Sequence, residues 1–284
     1  MITRRSLCNI ALFSASIPCI EGIDMNFFVK TSSSDKASDV EYSLNKTLMN
    51  FTYVPSGDFI LGAKYNNFLP FYMEKPKFKN VKISKGFFIS KYLFTVGNLL
   101  DLLMLDEYFS DVFDLYWNKA RLEKMDTFRP IDMNTESAKL VIDAMNRRGN
   151  AVFSFPTEAQ WEHACRAGSE TNFYNGNTEA DLSDVAWYVK NSGRDIHPVG
   201  RKRPNHFGIY DMLGTLYEPC RDRLQEEFGD IDPVGRTDSG GLPLTLRGGS
   251  ILDGPTACTS FYRIAAPGVG GFNNIPIGLR LILS

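Results

Sequence analysis

Cysteine is the side chain here with the widest chemical reach, and its five copies, Cys8, Cys19, Cys165, Cys220 and Cys258, are scattered without CxxC spacing. The three histidines, His163, His197 and His206, do not fall at zinc-ligand intervals from them, so a cysteine–histidine metal centre is not expected. An odd count cannot pair completely and a large core needs no covalent staples, so free, mostly buried thiols are expected. Other patterns reduce to turns. Gly248-Gly249-Ser250 lacks the downstream glycine of a nucleophile elbow. Gly268-Val269-Gly270-Gly271 lacks the lysine and helix start of a phosphate cradle. Asp222, Asp230 and Asp232 surround an acidic loop and read as solvated.

The elements that would position these residues are uneven along the chain. Residues 51–61 read as two short strands around the turn Pro55-Ser56-Gly57, and residues 81–88 look similar. Asn134 can cap a helix whose apolar positions Ala138, Val141, Ile142 and Met145 share one face, ending at Gly149. A second helix is signalled by the capping-box pair Thr157 and Gln160, a buried stripe of Trp161, Ala164 and Cys165, and a left-handed stop at Gly168. On this reading Cys165 is core. Beyond Gly168 the chain is loop-rich up to a terminal strand at residues 279–283. Loops of that length persist in a compact domain when a metal, aromatic anchors or a ligand pins them.

With 284 residues and a formal charge of −2, the chain has ample core material and no global attraction to nucleic acid or anionic membrane. Residues 1–20 read as a signal peptide: Arg4-Arg5-Ser6-Leu7, then an apolar stretch too short to anchor in a bilayer. The adjacent arginines resemble a twin-arginine address, and an ordinary secretory signal fits as well. Cys19 stands where a lipoprotein would carry its lipid. Residues 21–41 read as a linker containing Ser32-Ser33-Ser34-Asp35-Lys36, and residues 42–284 as the folded domain. The expected location is exported, periplasmic or at the cell surface.

Several segments, in order, resemble the formylglycine-generating-enzyme-like (sulfatase-modifying factor) family. They are Val54-Pro55-Ser56-Gly57-Asp58-Phe59-Ile60-Leu61-Gly62, Ile83-Ser84-Lys85-Gly86-Phe87-Phe88-Ile89-Ser90-Lys91, and the run from Phe155-Pro156-Thr157-Glu158 through Trp161-Glu162-His163 to Gly168. Pro198-Val199-Gly200, Pro204-Asn205-His206-Phe207-Gly208-Ile209-Tyr210-Asp211-Met212-Leu213-Gly214, Arg247-Gly248-Gly249-Ser250 and Gly278-Leu279-Arg280 complete the set. The resemblance implies an α+β domain of C-type lectin-like fold: a small twisted antiparallel sheet joining the chain ends, flanking helices, and long loops presenting a binding face.

It also implies a structural calcium site on Asp211, Gly214, Leu216 and Glu218, with two carboxylates and turn carbonyls as hard oxygen ligands. The alternative is that Asp211 caps a turn and Glu218 is salt-bridged, since Thr215 and Tyr217 replace the family's usual Asn and Trp. A second calcium site near residues 184–192 is expected to be absent. The family's oxidase uses a cysteine pair to hold copper. Here the second cysteine falls on Cys258, while Asp253 takes the place of the first, and one thiolate does not make a two-thiolate soft site. A non-catalytic member is therefore expected, with a formylglycine-type oxidase as the alternative.

Residues 245–284 contain no Lys, Glu, Gln, Met or Trp. Codons ending in a pyrimidine cannot encode these five, which is the pattern left when a retroelement randomises adenines. The segment thus resembles the variable region of a diversity-generating retroelement protein, with candidate bounds 247–284, which implies a displayed receptor or adhesin with a protein or other surface ligand. An invariant lectin-like receptor is the other binding alternative. Candidate contact positions are Ile251, Asp253, Thr256, Cys258, Ser260, Phe261, Tyr262, Val269, Phe272, Asn273 and Asn274. Phe261, Tyr262 and Phe272 would serve as rigid anchors and the small polar residues as adaptable contacts.

Overall fold

The computed structural model describes residues 27–29, 39–44, 46–63, 78–106, 108–110, 118–148, 151–224, 229–235, 242, 245–266 and 275–284. Residues 1–20, with Cys19 among them, lie outside these residues.

Among the described residues, three antiparallel sheets organise the fold. The largest has six strands, β1 (Phe27–Val29), β2 (Val40–Ser43), β3 (Leu48–Val54), β6 (Phe87–Ser90), β11 (Ile282–Leu283) and β7 (Phe153–Ser154), in the spatial order β1-β2-β3-β6-β11-β7. The carboxy-terminal strand sits between β6 and β7, with Ile282 opposite both Ile89 and Ser154, so the two ends of the domain share one sheet. β4 (Gly57–Leu61) pairs with β5 (Lys79–Ile83), and β8 (Glu218–Cys220), β9 (Thr245–Arg247) and β10 (Arg263–Ala265) form the third sheet. β1 pairs with β2 and lies inside residues 21–41, which the sequence reads as linker.

The main sheet is buried on both faces, and its two-residue period shows why. Phe88, Leu281 and Leu283 face one apolar cluster, whereas Phe87, Ile89 and Ile282 face another. The first cluster lies against α1 (Val96–Leu105) and α3 (Thr135–Arg147), with the short α2 (Lys119–Leu122) beside them. The second surrounds α4 (Glu158–Arg166) and α5 (Glu179–Val185). Fully buried rings such as Phe51 and Phe153, 5.9 Å apart, each contribute about 2 kcal/mol of transfer free energy.

The expected helices begin as their caps dictate. Asn134 accepts the Ser137 N–H, and Thr157 and Gln160 close a reciprocal box. The left-handed stop of α4 falls on Ala167 (φ 47°), with Gly168 following at φ 89°. α1 has no counterpart in the sequence reading. Its Leu99-Leu100-Asp101-Leu102-Leu103 run is apolar on nearly every side, so no 3.6-residue stripe stands out, and its start rests on a reciprocal Thr95–Asn98 cap.

Candidate binding loop and its buried frame

α4 carries the site's foundation. Its spacing puts Glu158, Trp161, Glu162 and Arg166 inside the molecule, all with 4% exposure or less. The Trp161 indole N–H donates to Glu218 Oε2 at 2.6 Å, and the Arg247 guanidinium lies 4.9 Å from the Trp161 ring centre. Glu162 takes Arg166 Nε at 2.8 Å on one oxygen and Arg247 Nη2 on the other. Glu158 lies 3.5 Å from Arg247 Nε and accepts Arg263 Nη2 at 2.7 Å. Burial pushes the Glu158 carboxyl up to about 7, against the pull of Arg247 and Arg263.

Arg247 uses its remaining donors on the loop that follows β9. Nη1 donates to the Tyr262 carbonyl at 2.6 Å and Nη2 to the Ser260 carbonyl at 3.1 Å. The loop is thereby held through its backbone, and its entry is equally constrained. Gly249 has φ 74°, and a Cβ there would meet Ala257 O and Cys258 Sγ at 2.8 Å. Ser250 donates to Asp253 Oδ2, and the Val189 N–H bonds the Asp253 carbonyl at 3.1 Å.

This frame divides the candidate contact positions. Asp253, Thr256 and Tyr262 keep partial exposure. Ile251, Cys258, Ser260 and Phe261 do not: they are 5%, 0%, 0% and 3% exposed, so their side chains fill the interior and present nothing to a ligand. The Ser260 hydroxyl instead meets Cys165 Sγ at 3.7 Å. Phe261 is a core residue and not an anchor. Leu252, which the sequence reading passed over, is 48% exposed. Its signal was available, since one of two adjacent apolar residues leaving a tight turn must point outward. Val269, Phe272, Asn273 and Asn274 lie outside the described residues.

The positions matched to calcium ligands do not fit that ion. Both oxygens of Glu218, fully buried, are engaged: Oε2 by Arg280 Nε at 2.7 Å and by Trp161, Oε1 by Arg280 Nη2 at 2.8 Å. Arg280 also donates to the carbonyls of Ser90 and Tyr210, both at 2.8 Å. A bidentate guanidinium thus neutralises the acid that a cation would need. Asp211 Oδ2 accepts the Gly200 N–H at 2.8 Å, and burial raises its carboxyl to about 6. With Gly214 and Leu216 offering carbonyls alone, the set Asp211, Gly214, Leu216 and Glu218 is better described as a turn and an ion pair. Among the described residues no group of three or more His, Cys, Asp or Glu is placed to hold a metal ion.

Cys165, Cys220 and Cys258 are free and buried. Burial, then the neighbouring Asp253 charge, pushes the Cys258 thiol well above its ordinary range, and the Cys165 thiol is raised to about 12 by burial. His163 and His197 are spent on the carbonyls of Pro55 and Ser192, each at 2.9 Å.

Residues 36–284 match the sulfatase-modifying factor enzyme 1-like domain. The formylglycine-generating enzyme of Streptomyces coelicolor is 32% identical over 127 residues, covering 39% of this chain and 40% of that protein. The first curated relatives are matched over only 30% to 40% of their own length. Among solved structures, Treponema denticola variable protein 1 superposes with a TM-score of 0.66 at 21% identity, covering 86% of this chain and 98% of that one. PvdO from Pseudomonas aeruginosa gives 0.67 at 19% identity, covering 86% and 97%. These likenesses carry the fold, an α+β architecture of the C-type lectin-like, formylglycine-generating-enzyme type. By sequence and by architecture, this chain belongs to the sulfatase-modifying factor enzyme 1-like family.

Proposed function

We propose that this protein is a non-catalytic, displayed binding member of its family, whose loop after β9 presents side chains diversified by a retroelement. The observation that carries this reading is the grip of Arg247 on the Ser260 and Tyr262 carbonyls. Backbone anchorage lets exposed positions change while the loop keeps its path. The absence of Lys, Glu, Gln, Met and Trp from residues 245–284 supports the same reading. So does the shared fold with a protein called a variable protein. Arg4-Arg5 and the apolar stretch after them support export and surface display.

The decisive experiment is sequencing of this gene from sibling isolates. Substitutions should concentrate at exposed positions such as Leu252, Thr256 and Tyr262, leaving Arg247, Gly249 and Arg280 fixed. Substitutions spread evenly over frame and loop would defeat the proposal. An oxidase reading draws on Cys258 and on the enzymes among the relatives. Incubation with copper and a cysteine-containing peptide should yield no aldehyde, because a buried, neutral thiol beside a carboxylate is a poor soft ligand. Aldehyde formation that disappears in Cys258→Ser would reverse the assignment.

A further inference from the structure

A cavity of about 640 Å³ has no candidate contact position and no residue of the loop after β9 in its lining. Its walls come from the start of β3, the chain just after β6, the first turn of α1, and residues 127–128 and 198–201. They are braced. The Val199 N–H donates to the Phe128 carbonyl at 2.9 Å, and the Lys91 N–H to Asn50 O at 2.7 Å. The Tyr92 ring packs on Tyr210 with centroids 5.1 Å apart. Gly200, at φ 73°, lies so close that a Cβ would come within 2.9 Å of the same Tyr92 ring. The volume falls in the range of small-molecule sites, roughly 300–1,000 Å³.

The lining has a definite chemical character. Lys46 and Arg201 are exposed at its edge, and no Asp or Glu is among its described lining residues. No ion pair engages either cation among the described residues. Two buried carboxylates stand behind the wall: Asp101, 4% exposed, accepts the N–H groups of Lys46 and Thr47 and the Thr47 hydroxyl, and Asp211, 2% exposed, accepts the N–H of Gly200. Two large apolar side chains are also left in water at this rim, Leu48 at 53% exposure and Phe128 at 66%.

We propose that this cavity binds a small amphipathic anion, an anionic head on an aromatic or aliphatic body. Lys46 and Arg201 meet the head, while Leu48, Phe128 and the Tyr92 ring cover the body. The inference is independent of the proposed function, since it uses no residue of the loop after β9.

Its test is a titration of the folded chain followed by amide NMR, with three probes of similar size: N-acetylphenylalaninate, phenyl phosphate and the neutral N-acetylphenylalaninamide. Saturating shifts at residues 46–50, 92 and 199–201 are expected with one or both anions, and the stronger of the two identifies the head group. Exposed charges are worth little singly, so the pair Lys46→Gln and Arg201→Gln should weaken anion binding about tenfold. Raising the salt concentration should weaken it in the unaltered protein too. No saturation by either anion, equal binding of the neutral amide, or indifference to both the double substitution and salt would each overturn the proposal.

Discussion

Thr215 has φ 61°, a left-handed conformation that a β-branched residue adopts only under strain. Its hydroxyl is buried without a hydrogen-bond partner. Its backbone is nonetheless pinned from both sides, by Trp187 O at 2.7 Å and by the Ile251 N–H at 3.1 Å. Thr215→Asn keeps those bonds, tolerates the dihedral better and brings an amide able to find partners. It should stabilise the protein by about 1 kcal/mol, visible as a rise in denaturation midpoint at unchanged slope. Arg280 makes the opposite case, because Glu218 is fully buried and has both oxygens committed to it. Arg280→Ala should cost roughly 3–5 kcal/mol by stranding a buried carboxylate. Arg280→Lys should recover only part of that, because an ammonium cannot reproduce the fork. Urea titration of the two variants checks the order, and a mild Arg280→Ala would show that the pair is dispensable.

At the scale of elements, what the sequence made legible was local. Asn134 and the Thr157–Gln160 box start their helices, as near-neighbour hydrogen bonds allow. The frame was not legible, because Arg247 reaches Glu162 across 85 residues and Arg280 reaches Glu218 across 62, and no periodicity encodes pairs so distant. Composition places Ile251, Cys258, Ser260 and Phe261 among the contact positions, yet all four are buried, because composition reports which residues a segment contains and not which way its turn points them. Two buried carboxyls, Glu158 on α4 and Asp211, also set a pH dependence. The Glu158 carboxyl, ordinarily near 4.5, rises to about 7 on folding, and that of Asp211 from 3.8 to about 6. The folded state therefore holds protons that the unfolded state releases. Their contribution is fully present below the unfolded values and fades as pH climbs through 6 and 7. Stability measured by denaturant between pH 4.5 and 8 should carry this downward component, and Glu158→Gln should flatten the slope. An unchanged slope in that variant would mean that Glu158 is ionised throughout the range.

For the molecule as a whole, the arrangement separates side chains sealed into the frame from side chains left at the surface. The terminal strand is locked into the main sheet between β6 and β7, and Arg280, just before it, ties that sheet to the start of β8 at Glu218. Between those anchors the loop alternates abruptly. Ile251, Cys258 and Phe261 are sealed in, Leu252 and Thr256 reach outward, and Tyr262 leans on the small cluster of Tyr217, Leu246 and Ile277. If loop geometry is set by backbone anchorage and those buried side chains, energetic sensitivity must follow burial and not position along the chain. Phe261→Ala should lose about 3–5 kcal/mol and Ile251→Ala about 2–5 kcal/mol, as deletions from a packed interior do. The combined Leu252→Ser and Thr256→Asn variant should remain within about 1 kcal/mol of the parent, as surface changes do. Tyr262→Ser should fall between them. The comparison needs only chemical denaturation of four purified variants. If the Leu252 and Thr256 pair proved as damaging as Phe261→Ala, the exposed positions would be structural, and a loop built to vary would lose its physical basis.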